Sequence, residues 1–255
     1  ALGLHSNASD NFYLQDSNSK TCYIVDLKTL LNSRRFVPDE QFRYSSEVLP
    51  TSDLCLLDDN RYIGYHMWYL DDKQFSKVDS PIGYYQKGED SGKGMDDFPF
   101  FVASVNGARL FKNPQTQELW TADMHRDAIR IYNDSLKQIR ELVGPDHFSP
   151  EYTRRQIDAP VAFVTFADEC DYHAYTDYYI TDKHIYLVYE GNKHFDMKNL
   201  SPVEIFKLDF DGNLLCNYKP DRYVYSISIN KKEDTLYCAS RSSVMEPPVI
   251  LKYKL

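Results

Sequence analysis

Ile185-Tyr186-Leu187-Val188-Tyr189, then Ile205-Phe206-Lys207-Leu208-Asp209, the turn Asp211-Gly212-Asn213 and the run Leu214-Leu215-Cys216-Asn217-Tyr218 decide the fold. The three runs are short and rich in β-branched and aromatic side chains, which suit a pleated, half-buried surface. Asp-Gly between the second and third is a strong hairpin signal. Ahead of them Tyr178-Tyr179-Ile180 turns at Asp182-Lys183 and supplies one strand more. Four short strands joined by tight turns make one blade of a β-propeller.

The pattern recurs along the chain. Copies of the first run lie at residues 12–16, 62–65, 119–123 and 236–240, and copies of the second at 23–26, 75–79, 129–133 and 250–253. The second run closes on Asp or Asn in most copies. Taking Tyr13, Ile63, Trp120, Tyr186 and Tyr237 as equivalent gives spacings of 50, 57, 66 and 51 residues, the drift being absorbed by loops of unequal length. Residues 224–229, turning at 231–234, form the strand ahead of the last copy. The best amphipathic helix candidate, residues 134–143, takes the place of a strand in the repeat, and no long helix is expected. The reading is therefore all-β, a β-propeller of four-stranded antiparallel blades, five blades legible and six possible, in a single domain over residues 1–255. Two ends are loose. The last blade stops at its third strand, so closure needs a strand from the N-terminus or residues outside this chain. Val161-Ala162-Phe163-Val164-Thr165-Phe166 reads as a strand with no place among five blades.

The runs Leu57-Asp58-Asp59-Asn60-Arg61-Tyr62-Ile63-Gly64, Lys183-His184-Ile185-Tyr186-Leu187-Val188-Tyr189-Glu190-Gly191 and Val203-Glu204-Ile205-Phe206-Lys207-Leu208-Asp209-Phe210-Asp211-Gly212-Asn213 resemble the TolB-like six-bladed β-propeller proteins of Bacteroidetes. The resemblance covers nearly the whole chain, although six blades in that family usually need a longer one. It implies a protein exported to the cell envelope, at the periplasm or the outer membrane surface and often lipid-anchored through a removed N-terminus. These motifs mark strands and turns, and most of the family has no established activity.

Composition agrees with β structure and narrows the partners. The 21 Tyr and 14 Phe are residue types that pack across strands. A net charge of −9 with no cluster of Lys and Arg argues against nucleic acid. No apolar run approaches the roughly 18 residues of a membrane-spanning helix. The chain begins at Ala1, which fits a processed export signal or a trimmed end. Cys22, Cys55, Cys170, Cys216 and Cys238 are widely spaced and form no zinc pattern, so neither a metal nor another cofactor is expected. Cys22, Cys216 and Cys238 sit in alternating apolar stretches and read as small buried hydrophobes.

Candidate site residues come from the loops that such a scaffold presents at one end. His66, His125 and His194 recur at a similar place in three repeats, beside Trp68, Tyr69, Arg126 and Arg241. The three imidazoles could line a ligand-binding rim or be separate polar loop residues, and convergence on a metal would need inward folding of the loops. Trp68 and Tyr69 could stack on a sugar or a peptide side chain, or belong to the core. A second cluster runs Asp168-Glu169-Cys170-Asp171-Tyr172-His173, in which Glu169 and Asp171 share a strand face and could form a carboxylate pair with His173 nearby. A solvated acidic loop is the plainer reading. No residue is assigned a catalytic role. The expected function is a non-catalytic module that binds a glycan, a peptide or an envelope protein, the alternative being a carbohydrate-active or lactone-hydrolysing propeller that uses channel carboxylates.

Overall fold

The computed structural model describes the chain apart from residues 1, 7–10, 34–35, 58–59, 71–77, 90–99, 102–104, 157–161, 168–171 and 193–199. The described residues form six sheets. The first contains β1 (Leu2–Ser6), β2 (Asn11–Asp16), β3 (Thr21–Asp26) and β4 (Glu40–Arg43) in sequence order, with the short helix α1 (Leu27–Ser33) between β3 and β4. The second contains β5 (Cys55–Leu56), β6 (Arg61–Tyr65) and β7 (Ile82–Gln86). After β8 (Phe100–Phe101) come β9 (Ala108–Lys112), β10 (Leu119–Asp123), β11 (Ala128–Tyr132) and β12 (Gln138–Val143), ordered β12-β11-β10-β9. Next, β13 (Tyr152–Gln156) and β14 (Ala162–Phe166) join β8 in a sheet ordered β13-β14-β8. Then β15 (His173–Ile180), β16 (Ile185–Asn192), β17 (Glu204–Leu208) and β18 (Leu214–Tyr218) form a four-stranded sheet, and β19 (Val224–Ile229), β20 (Thr235–Ser240) and β21 (Val249–Lys254) the last.

The strand left over in the sequence thus has a sheet of its own. As β14 it runs parallel to β8, with Ala162 beside Phe100. The pairings along β1-β2-β3-β4, β5-β6-β7, β10-β11-β12, β15-β16-β17-β18 and β19-β20-β21 are antiparallel; in β16, Leu187 lies opposite Tyr178 on one side and Phe206 on the other. The second run expected at 75–79 falls mostly outside the described residues. The strand paired with β6 is β7, with Ile63 opposite Tyr84. Among the described residues no fourth strand joins β19–β21, and the N-terminal β1 pairs with β2.

The chain divides into two compact units, Ala1–Phe111 with Arg154–Val164, and Lys112–Thr153 with Thr165–Leu255. In the first, Tyr13, Cys22, Phe42, Tyr44, Val48, Leu54 and Tyr62 make one apolar cluster. In the second, Tyr186, Val188, Ile205, Val224, Ile227, Leu236 and Cys238 make another. β10 and β11 are buried along their whole length, whereas β12 and β18, at the ends of their sheets, are largely exposed. A middle strand covered on both faces must read as continuously apolar, and an edge strand need not.

The Asp or Asn at the end of a strand, in two of the second runs and in two strands that precede a first run, has a structural reason. Asp209 accepts the N–H of Asp211 (3.0 Å) and Asn213 (2.7 Å) on one carboxylate oxygen. Asn133 does the same for Ser135 (3.1 Å) and Lys137 (3.0 Å). Asn113 receives Gln115 and Thr116, and Asn230 receives Asp234 and Thr235, through their side-chain oxygens. Such a side chain imitates a turn carbonyl and lets the backbone reverse. The reversal places one residue in the left-handed region: Gly212 (φ 85°), Leu136 (φ 58°), Gln117 (φ 62°) and Glu233 (φ 57°). Glycine takes that conformation without strain, and the other three do not.

Glu233 also joins two sheets of the second unit. From the β19–β20 hairpin its carboxylate accepts His184 Nδ1 (2.6 Å), Lys207 Nζ (3.3 Å) and the Tyr186 hydroxyl (3.3 Å), together with the Thr181 hydroxyl. Its side chain is 9% exposed. Burial raises this carboxyl, but the hydrogen bonds from Thr181 and His184 and the charges of His184 and Lys207 outweigh it, leaving it below the usual glutamate range.

Candidate functional site

In the second unit an open cleft of about 520 Å³ lies among the segment that follows β12, Tyr172 just ahead of β15, and Gly191 near the end of β16. Asp127, at the turn between β10 and β11, holds it in shape. This residue is 1% exposed. Its Oδ2 accepts the backbone N–H of Asp146 (2.6 Å) and His147 (2.8 Å), and its Oδ1 the Tyr175 hydroxyl (3.2 Å). Its backbone N–H donates to the Phe148 carbonyl, and its own carbonyl accepts from Gly144 N–H, each at 3.1 Å. The segment 144–148 is therefore sewn to one aspartate. Its conformation has a cost, since His147 has a φ of 55°, in the left-handed region. Gly144 is required by space: a Cβ there would lie 1.8 Å from Asp127 Oδ1 and 2.6 Å from the Tyr175 hydroxyl.

The cleft combines acidic and aromatic groups. Asp146, His147, Ser149 and Glu151 are exposed along its edge. Phe148 and Tyr172 stack on each other, with ring centroids 4.5 Å apart and planes 17° from parallel. Asp146 is tethered by the Tyr189 hydroxyl (2.7 Å). Burial pushes the phenols of Tyr175 and Tyr189 upward, and their bonds to Asp127 and Asp146 push them further, so both stay protonated donors.

A second cavity of about 340 Å³ shares His147 with the cleft as a lining residue. It is a groove floored by Leu142, Val143, Phe206, Leu208 and Leu214, with Glu204 and Asn217 also lining it. Glu204 pairs with Lys219 (2.8 Å), which holds its carboxyl below the usual range.

The residues singled out in the sequence divide between the two units. In the first, His66 is a support within the sheet. Its Nδ1 lies 2.5 Å from the Tyr85 hydroxyl, and burial lowers its pKa, which favours the neutral ring. Trp68 is only 4% exposed and so belongs to the core, whereas Tyr69 is partly exposed. In the second unit, His125 is a neighbour of the cleft. Its Nδ1 lies 3.0 Å from the Tyr172 carbonyl, and its ring meets Phe166 (4.8 Å) and His173 (5.4 Å). Arg126 is buried beside Asp123 (3.9 Å), to which Arg130 also binds (3.2 Å). Arg241 lies over the Tyr225 ring at 5.2 Å. His173 faces Glu190 at 3.9 Å, and the buried Glu190 accepts the Tyr223 hydroxyl at 2.8 Å. Burial raises the carboxyl of Glu190 despite that bond. Glu169, Asp171 and His194 lie outside the described residues. Among those described, no group of three metal-ligating side chains could hold an ion.

Sequence reasoning missed Asp127, Asp146, Phe148 and Glu151. The run Gly144-Pro145-Asp146 following a strand was a readable turn signal. Its partner across the cleft was not, because that pairing depends on where the segment returns.

Successive sheets of three or four strands, nearly all joined to their sequence neighbours, are the blades of a β-propeller. The chain belongs to the TolB-like six-blade propeller family, whose model matches residues 103–232. Among solved structures it is similar to a member of the DUF4221 family from Bacteroides vulgatus, with 9% identity over 97% of this chain and 76% of that one and a TM-score of 0.55. It is also similar to BamB from Moraxella catarrhalis, with 10% identity over 98% and 71% of the two chains and a TM-score of 0.36. At 9% identity the likeness to the Bacteroides vulgatus protein is one of fold. No curated protein matches the sequence.

Proposed function

We propose that this chain is an exported binding module of the cell envelope, a single propeller domain without catalytic activity that takes a peptide, glycan or partner protein at the cleft over Asp127. The observation that carries the reading is the division of labour among the acidic groups. Asp127 is spent on three structural hydrogen bonds beneath the surface, and Asp146 is tethered by Tyr189. Glycoside cleavage needs two carboxyl groups placed across the scissile bond, one as an acid and one as a base or nucleophile. A carboxylate saturated by backbone N–H groups serves neither role well. Binding asks only for a shaped surface with rings and hydrogen-bonding groups, which Tyr172, Phe148, Ser149 and Glu151 offer. His125 enters the proposal as a positioning residue for Tyr172. Of the other sequence candidates, His66 and Arg126 are structural, whereas the partly exposed Arg241 and, in the first unit, Tyr69 remain candidates for contacts of their own unit. Export accords with the family, and among the described residues no helix is long and apolar enough to cross a membrane.

Peptide and glycan arrays, read with the wild-type protein and with Ser149→Trp, test the proposal. Ser149 is exposed at the cleft, so the indole should fill the cavity while the fold is kept. Ligands captured by wild type and lost by the variant are expected. Turnover of chromogenic glycosides or lactones that is abolished by Asp146→Asn would establish the catalytic alternative instead.

A further inference from the structure

We propose that the cleft and the groove form one continuous site for an extended peptide that places a lysine or arginine in the cleft and a large apolar side chain in the groove. This rests on the cleft being a binding site, and it names the ligand class.

Three observations lead there. The cavities share His147, so a ligand crossing that residue enters both. The charge is acidic at the cleft, where Asp146 and Glu151 stand, whereas Glu204 at the groove is paired with Lys219 (2.8 Å), and among the described residues no Lys or Arg lines the cleft. An acidic, aromatic-walled cleft favours a cation by Coulomb attraction and by contact with the ring faces. The groove, by contrast, is floored by aliphatic side chains and Phe206, and Val143 (54% exposed) and Leu214 (58% exposed) display them to solvent. A glycan would satisfy the cleft and leave that apolar surface uncovered, whereas a peptide can cover both.

The strands beside the groove also suit an extended chain. Among the described residues β12 and β18 each end a sheet, and an edge strand offers a row of backbone N–H and C=O groups on its outer side. A peptide laid along such an edge gains main-chain hydrogen bonds, while pockets for alternate side chains supply specificity. Side chains two positions apart on an extended peptide point to the same face, roughly 6.8 Å apart, which sets the expected pattern of a basic residue and a large aliphatic one separated by one residue.

Fluorescence anisotropy with labelled octapeptides in Gly/Ser flanks, carrying Lys-Gly-Leu, Glu-Gly-Leu or Lys-Gly-Ser at the centre, decides the matter. The Lys-Gly-Leu peptide should bind at least tenfold tighter than either of the others, and its affinity should fall as salt is raised. Glu151→Lys and Leu214→Glu, both at exposed positions, should each weaken it at least tenfold while leaving the melting curve in place. Equal binding of all three peptides, or wild-type affinity in Leu214→Glu, overturns the proposal. If arrays capture glycans in a Ser149→Trp-sensitive way while these peptides fail, the binding function stands and the peptide class is wrong. If neither ligand type binds, both readings fall.

Discussion

Glu233→Gln should loosen the junction between the β15–β18 sheet and the β19–β21 sheet. The substitution keeps the size and one acceptor oxygen of the side chain but removes its charge and turns an N–H₂ group toward donors. Two of the partners are cationic or able to become so, His184 at 2.6 Å and Lys207 at 3.3 Å, and two are hydroxyls, Thr181 and Tyr186. Hydrogen bonds to charged groups contribute about 1.5–3 kcal/mol each, and breaking a fully buried pair costs more. Here Lys207 is 17% and His184 21% exposed, so solvent screens part of the interaction. A net loss of about 2–3 kcal/mol follows, which for a chain of this size lowers the melting temperature by roughly 5–10 °C.

The loss has a pH signature. The folded-state pKa of Glu233 lies below its ordinary value, so its contribution is full above the unfolded-state pKa of about 4.3 and disappears as pH falls through the folded value. Differential scanning calorimetry of wild type and variant should show a gap at pH 5 that narrows below about pH 4.3. Glu233→Gly separates the clamp from the backbone. Glycine relieves about 1 kcal/mol of left-handed strain at φ 57°, yet it should still be less stable than wild type because the carboxylate is gone. A glutamine variant melting within about 1 °C of wild type at pH 7, against the several degrees expected, would refute the clamp.

Two further outcomes test the first sheets and the cleft. Gly144→Ala should destabilise the protein by about 1–3 kcal/mol, because its methyl group meets Asp127 Oδ1 and the Tyr175 hydroxyl, and the 144–148 segment should lose protection in hydrogen exchange; unchanged stability and protection would mean that Asp127 does not hold the segment. His66 is buried with its pKa lowered, so its contribution is full above the unfolded-state value of about 6.5 and declines as pH drops below it. The urea midpoint should therefore fall between pH 7 and 5, and less steeply in His66→Gln, a difference that equal slopes in the two proteins would deny.

The blades were readable because each level of the sequence agrees with the next. Leu187, Val188 and Tyr189 are apolar without alternation because β16 is covered on both faces, and Asp209 and Asn133 mark strand ends because their side chains make the turn. β14 was readable as a strand but not as a member of any blade. Its pairing with β8 is parallel, which no hairpin signal announces, and β8 itself is two residues long. Of the second run expected at 75–79, residues 75–77 lie outside the described residues, and the strand that pairs with β6 begins at Ile82. A pattern of period two says that a segment can be extended; it does not say which neighbour it will meet.

The cleft was hidden for a related reason. Its wall is made by segments far apart in sequence, residues 146–151, Tyr172 and Gly191, with Asp127 beneath them, and none carries a motif that demands the others. The sequence drew attention instead to recurring histidines, because recurrence is what a repeat makes visible. Yet recurrence is a property of the scaffold. His66 supports Tyr85 within its sheet, and His125 supports the Tyr172 carbonyl at the cleft, two different tasks for residues at similar places in the repeat. What distinguishes the cleft is the connection leaving β12, which includes Gly144 and Pro145 and is fixed by a buried aspartate, a role with no counterpart at the other turns described above. In a repeat protein, function is therefore best sought where one copy departs from the others and the departure is held in place at an energetic cost, as the left-handed His147 is by Asp127.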